Sequence, residues 1–267
     1  MIRRAVVSGS FYAGTPERLR FQLRDLIEVD KEKERVIGVV APHAGYMYSG
    51  KVAGAVYSRI AFPEVFVILS PNHTGLGAGA SIMTYGEWET PLGHATIDSP
   101  LAKAILGHSH TLEDDHLAHL KEHSLEVQLP FLQYFGLPFT FVPICLFSHE
   151  YHVCQDVGQA VAAAIQESGR SVTVVASTDM SHYVPQQVAE EKDRKAIDAI
   201  LALDPQGLHQ TVLKNRISMC GFHPTTATLI AVKALGAQSA ELVKYMTSGD
   251  VTKDYDQVVG YAGLLIK

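Results

Sequence analysis

Residues 39–50 read VVAPHAGYMYSG: an apolar run stops at Pro42 and is followed at once by His43 and Gly45. The residues from Glu34 to Ala41 are β-branched and apolar enough to predict a strand buried on both faces. Ser49 stands where an N-cap belongs, ahead of KVAGAVYSRI, whose small and apolar residues suit a packed helix. His43 is thereby placed in a strand-to-helix loop. In open α/β sheets the crevice beyond the strand ends is where ligands bind. A single histidine there is ordinarily no more than a polar residue closing a strand, so the reading turns on whether His43 is alone.

Outward from this stretch the same alternation repeats. Upstream, Thr15-Pro16-Glu17 supplies a cap, a proline at the first helical position and an early acid, ahead of the periodic RLRFQLRDLI. Downstream, VFVILS (65–70), FTFVPICLF (139–147) and SVTVVAS (171–177) predict three further buried strands. ASIMTYG and HATIDS read as short strands around TPLG, with Ser99 capping a helix through Leu106. Helices are expected at 149–168, 186–203, 205–214 and 222–235, and strands at 240–247 and in the closing VVGYAGLLI. The reading is an α/β fold, layered, with a central mostly parallel or mixed sheet flanked by helices. No linker or repeat divides it, so residues 1–267 are expected to form a single domain.

Composition narrows the class. Apolar residues make up 47% and charged residues 19% of the chain, which supports a sizeable core. A net charge of −6 and no basic run speak against a nucleic-acid partner. No long apolar stretch predicts a signal peptide or membrane span, and a cytoplasmic location is expected. The three cysteines, Cys145, Cys154 and Cys220, form neither a disulfide framework nor a CxxC zinc pair.

The histidine is not alone. Three predicted buried strands end in APHAGY, SPNH and STDMSH, each putting a histidine in the following loop. If these strands are parallel, His43, His73, Asp179 and His182 converge on one edge of the sheet. Neutral imidazoles are ligands for iron, copper or zinc, and a nearby carboxylate completes or orients such a site.

APHAGYMYSG, SPNHTG, EHSLEVQLPFLQYF, STDMSHY and MCGFHP occur in that order, and the chain thereby resembles the Memo family (AmmeMemoRadiSam system protein B) along nearly its whole length. The family's fold is similar to the catalytic subunit of class III extradiol dioxygenases, which use non-haem iron(II). The resemblance implies metal ligation by His43, His73 and Cys220, with His182 as acid/base oriented by Asp179. It further implies that His123 and Glu126, in EHSLE, line the same cavity. The dioxygenases have a glutamate where this family has its cysteine. Thiolate softens a site and favours copper or zinc over iron, so ring cleavage does not transfer automatically with the fold.

The other candidates have plainer readings. Cys145 and Cys154 suit the core, Trp88 suits a packing anchor, and Phe11 and Tyr12 either pack or close over the pocket. His116 and His119 are read as part of an exposed acidic loop from which only His123 turns inward, and a separate metal site there is the alternative. His94, His108, His110, His149, His152 and His209 are read as surface residues, and His223 as a neighbour of the Cys220 site. Near two histidines, Cys220 is expected to have a lowered pKa and to react faster than Cys145. Three functions are compatible with this: a metal-dependent redox enzyme for a small aromatic or phenolic substrate, a peptide- or partner-binding module using the same pocket, and metal-dependent hydrolysis. The last lacks an HExxH signature.

Overall fold

The computed structural model describes residues 1–267 as a mixed twelve-stranded sheet flanked by helices. At its centre Thr140–Leu146, Val65–Pro71, Val172–Ser177 and Gly38–Ala41 lie side by side, all parallel. These are the runs that read as doubly buried strands. The side chains from Val65 to Leu69 are wholly removed from solvent, and truncating one such residue to alanine costs about 2–5 kcal/mol. Beyond Gly38–Ala41 the sheet continues antiparallel through Val258–Ile266 to the short strand His182–Val184. On the other side it runs through Gly93–Ile97 and Glu87–Thr90 to Ile2–Arg3. No helix is long and apolar enough to cross a membrane.

Local signals placed most helices correctly and some of their caps wrongly. Thr15 caps Pro16–Arg24, its hydroxyl accepting from the amide of Arg18. The helix after Gly38–Ala41 begins at Tyr46, however, with Gly45 at its N-cap. Ser49 lies inside the helix and donates to Ala44 O instead, at 2.9 Å. The close fit of this helix explains its small residues: a Cβ on Gly54 would come within 2.1 Å of Leu26 O. Asp98, rather than Ser99, caps Ser99–His108, because its carboxylate accepts from the amide of Leu101. Regular pairing in the first buried strand starts at Gly38, and Glu34 makes only an isolated bridge to Ile60. The strands Glu87–Thr90 and His182–Val184 had no clear sequence signal.

Candidate metal centre

Parallel packing of Gly38–Ala41, Val172–Ser177 and Val65–Pro71 brings their C-terminal ends to one edge. His43, His73 and Asp179 leave the sheet there, His182 opens the edge strand His182–Val184, and all four line one cavity of about 660 Å³, together with His123. Ring nitrogens of His43, His73 and His123 lie within 4.8 Å of one another. Nitrogens bound at about 2.1 Å to one ion are at most about 4.2 Å apart, so a small inward movement brings all three within bonding range.

The hydrogen bonds decide which nitrogen each ring presents. Ser177 Oγ stands 3.0 Å from His43 Nδ1. It donates its own proton to Ser124 O at 2.6 Å and accepts from Gln128 Nε2 at 2.8 Å. With its single donor used, Ser177 can only accept from His43. Nδ1 of His43 therefore carries the proton and Nε2 is bare. Gln128 is itself held by the Tyr57 hydroxyl, which donates to its Oε1 at 2.8 Å. Burial first, then charge on the neighbouring histidines, pushes the pKa of His43 well below its ordinary value. The ring is neutral and needs no deprotonation to bind an ion.

His73 is oriented by a carboxylate. Its Nδ1 lies 2.9 Å from Glu122 Oε1, and its backbone amide donates to the other carboxylate oxygen. Burial disfavours the charged ring, but Glu122 outweighs it and raises the pKa of His73. Burial likewise opposes ionisation of Glu122, yet the His73 contact and nearby imidazoles bring its pKa down to about 2. The same carboxylate stands 3.4 Å from Nδ1 of His123, whose ring stacks on His73 at 4.8 Å. Burial lowers the pKa of His123. Three imidazoles, two held uncharged and one seated on a buried carboxylate, make a donor set suited to iron, copper or zinc.

Cys220 sits beside this group and outside it. Its Sγ is 3.2 Å from Nε2 of His43 and accepts the amide of Asp179 at 3.3 Å. A Cβ on Gly221 would meet Ser177 O at 2.5 Å, so glycine next to the cysteine permits this approach. Burial, reinforced by the Asp179 carboxylate, raises the thiol pKa. The expected lowering is overturned chiefly because burial disfavours the thiolate, and the neutral neighbouring imidazole supplies no positive charge to offset it. Cys220 is a thiol donating to bare Nε2 of His43.

A profile of the family described as Memo-like protein matches residues 3–265. The chain belongs to the Memo-like family. A MEMO1 family protein of Methanopyrus kandleri is 47% identical, covering 100% of this chain and 99% of its own length. One from Methanothermobacter thermautotrophicus is 46% identical over 99% and 100%. In fold alone, the chain resembles the crystal structure of an uncharacterized protein from Escherichia coli K12. That match has a TM-score of 0.56 and 13% identity, and covers 86% of this chain and 100% of the other.

In this Memo-like protein Asp179 is buried, and its Oδ1 accepts the amide of His43 at 2.8 Å. Burial raises its pKa to about 6. His182 Nδ1 faces the carbonyls of Met180 and Ser218, each at 2.8 Å, and so must donate. The ring is thus oriented by backbone carbonyls rather than by Asp179, and in the neutral ring Nε2 is the acceptor.

Glu126 is a correction. Its carboxylate does not line the cavity: it is fully buried and paired with Arg3, which is also buried. It accepts from the Tyr12 hydroxyl at 2.6 Å and from the amides of Val6 and Val7 at 2.9 and 3.1 Å. Glu126 anchors the N-terminal segment, and Glu122, four residues before it, orients His73. The signal for Glu122 in the sequence is its place directly before His123.

The remaining residues divide similarly. Phe11 meets His123 edge-on at 4.8 Å and lines the cavity, whereas Tyr12 packs inside. His119 is wholly buried, 2.8 Å from Ser81 Oγ and edge-on to the buried Trp88, so it does not belong to an exposed loop. His209 is buried too, Nε2 lying 3.0 Å from His149 O. His223 pairs with Nδ1 of His149 at 2.7 Å and not with the Cys220 site.

Proposed function

We propose that the protein is a metal-dependent oxidoreductase that acts on a small aromatic or phenolic compound in the cavity above His43, His73 and His123. The observation that supports this reading is the convergence of three imidazoles, two of which have their other nitrogen bonded, His43 to Ser177 and His73 to Glu122. Non-haem iron(II) is the proposed ion, with copper or zinc as the alternatives the donor set also suits. Bound there, iron supplies Lewis acidity and one-electron chemistry toward dioxygen.

The chain's own groups fit the accompanying proton movements. His182 lines the cavity with Nδ1 tied to backbone carbonyls, and Nε2 of its neutral ring can take a hydroxyl proton from a substrate phenol. Asp179, with a pKa near 6, can hold or release a proton close to neutrality. Cys220 is within reach as a further donor once its proton is lost. Phe11 supplies an apolar wall beside His123.

The test begins with elemental analysis of protein purified without added metal, followed by anaerobic loading with iron(II). Oxygen uptake with a panel of catechols and phenols is then measured. About one ion per chain and uptake with at least one compound are expected. Failure of every compound would reject the oxidoreductase reading and favour a peptide- or partner-binding module using the same cavity.

A further inference from the structure

Four residues other than glycine have positive φ: Tyr183 at 55°, Leu203 at 52°, Arg216 at 49° and Lys253 at 63°. Arg216 and Lys253 are C-caps, and Leu203 closes the turn after Gln186–Leu201. At a helix end this conformation satisfies the last carbonyls. Tyr183 ends no helix. It lies within the short strand His182–Val184, where His182 pairs with Val259 and Val184 with Val258. Tyr183 is therefore the additional residue of a β-bulge. The left-handed position of such a bulge is ordinarily glycine, because a Cβ is disfavoured there.

The bulge has a consequence for the cavity. In a regular strand, successive side chains point to opposite faces. Here His182 and Tyr183 are consecutive and both line the cavity over the three histidines. The Tyr183 side chain is also 73% exposed, so core packing does not account for an aromatic residue in a strained position. Met47, 65% exposed, lines the same cavity. These are the two most exposed large apolar side chains of the protein, and both stand where a ligand would enter.

We propose that Tyr183 is a specificity-determining residue that lies against the ring of the aromatic substrate. This rests on the aromatic-substrate reading given above. The bulge turns the tyrosine ring onto the cavity next to His182, so one strand supplies both a proton acceptor and an aromatic contact. An exposed aromatic face becomes useful when a second ring covers it, and offset or edge-to-face pairing selects planar rings over aliphatic compounds of similar size.

Catechol is titrated calorimetrically, without oxygen, into the wild-type protein, Tyr183→Phe and Tyr183→Asn, and the Tm of each is recorded. Asparagine tolerates left-handed backbone and lacks the ring. Wild type and Tyr183→Phe are expected to bind alike, and Tyr183→Asn about 3- to 10-fold more weakly. The Tm of Tyr183→Asn should be unchanged or higher. Equal binding by Tyr183→Asn, or a fall in its Tm, would overturn the assignment while leaving the aromatic-substrate reading intact. Absence of wild-type binding of catechol and of every other compound in the catechol and phenol panel would overturn that reading and this assignment together.

Discussion

Ser177 Oγ receives the Nδ1 proton of His43 at 3.0 Å, and this single contact determines which nitrogen of the ring faces the cavity. The serine has no freedom to reverse roles, because its own proton is committed to Ser124 O. Ser177→Ala removes the acceptor and lets the imidazole change tautomer. Zinc affinity, measured by competition with a chromophoric chelator, should fall about 10- to 100-fold. Unchanged affinity would show that packing alone orients His43.

Glu122 and His73 form one ion pair, and its pH dependence follows from opposite shifts. The Glu122 pKa is brought from 4.5 to about 2, so the stability drawn from its charge is present above pH 4.5 and lost as pH falls toward 2. The His73 pKa is raised above 6.5, so its share is present below pH 6.5 and lost as pH rises through the raised value. The pair thus contributes most between these limits. In metal-free protein, Glu122→Gln should flatten the urea-unfolding profile over both ranges. It should also lower the His73 pKa in an NMR titration. A profile identical to the wild type would contradict the pairing.

Glu126 should behave as a structural residue. Removing one partner of a buried ion pair leaves the other charged and uncompensated, which costs about 3–5 kcal/mol. Glu126→Ala strands Arg3, whose remaining bonds are to the carbonyls of His119 and Glu122. Chemical denaturation should report a loss of that size. If stability is retained while catechol affinity collapses, Glu126 belongs to the ligand site after all.

His182 should separate ion binding from turnover. Its Nδ1 is tied to backbone carbonyls, and it is not among the three converging histidines. His182→Ala is expected to keep its metal content and, with a substrate found by oxygen uptake, to lose about 10²-fold or more in rate. His43→Ala should lose metal and rate together. Metal loss in His182→Ala would instead make His182 a ligand.

What was legible in the sequence is what local chemistry controls. Runs such as VFVILS are buried wherever they fold, and Thr15-Pro16 starts a helix in most contexts, so the α/β layers could be read directly. Strand ends carrying His43, His73 and Asp179 were visible because backbone reversal after each buried run is local. The role of each polar side chain was not, because it depends on partners distant along the chain. Glu126 and Glu122 lie four residues apart in one motif, yet Glu126 meets Arg3 and Tyr12 while Glu122 meets His73. Cys220 owes its raised pKa to burial and Asp179, and Tyr183 its direction to pairing with Val258 and Val259. Hydrophobic periodicity decides which face of an element is covered. Only the tertiary structure decides which donor meets which acceptor there, because desolvation and pairing are settled by neighbours from other elements.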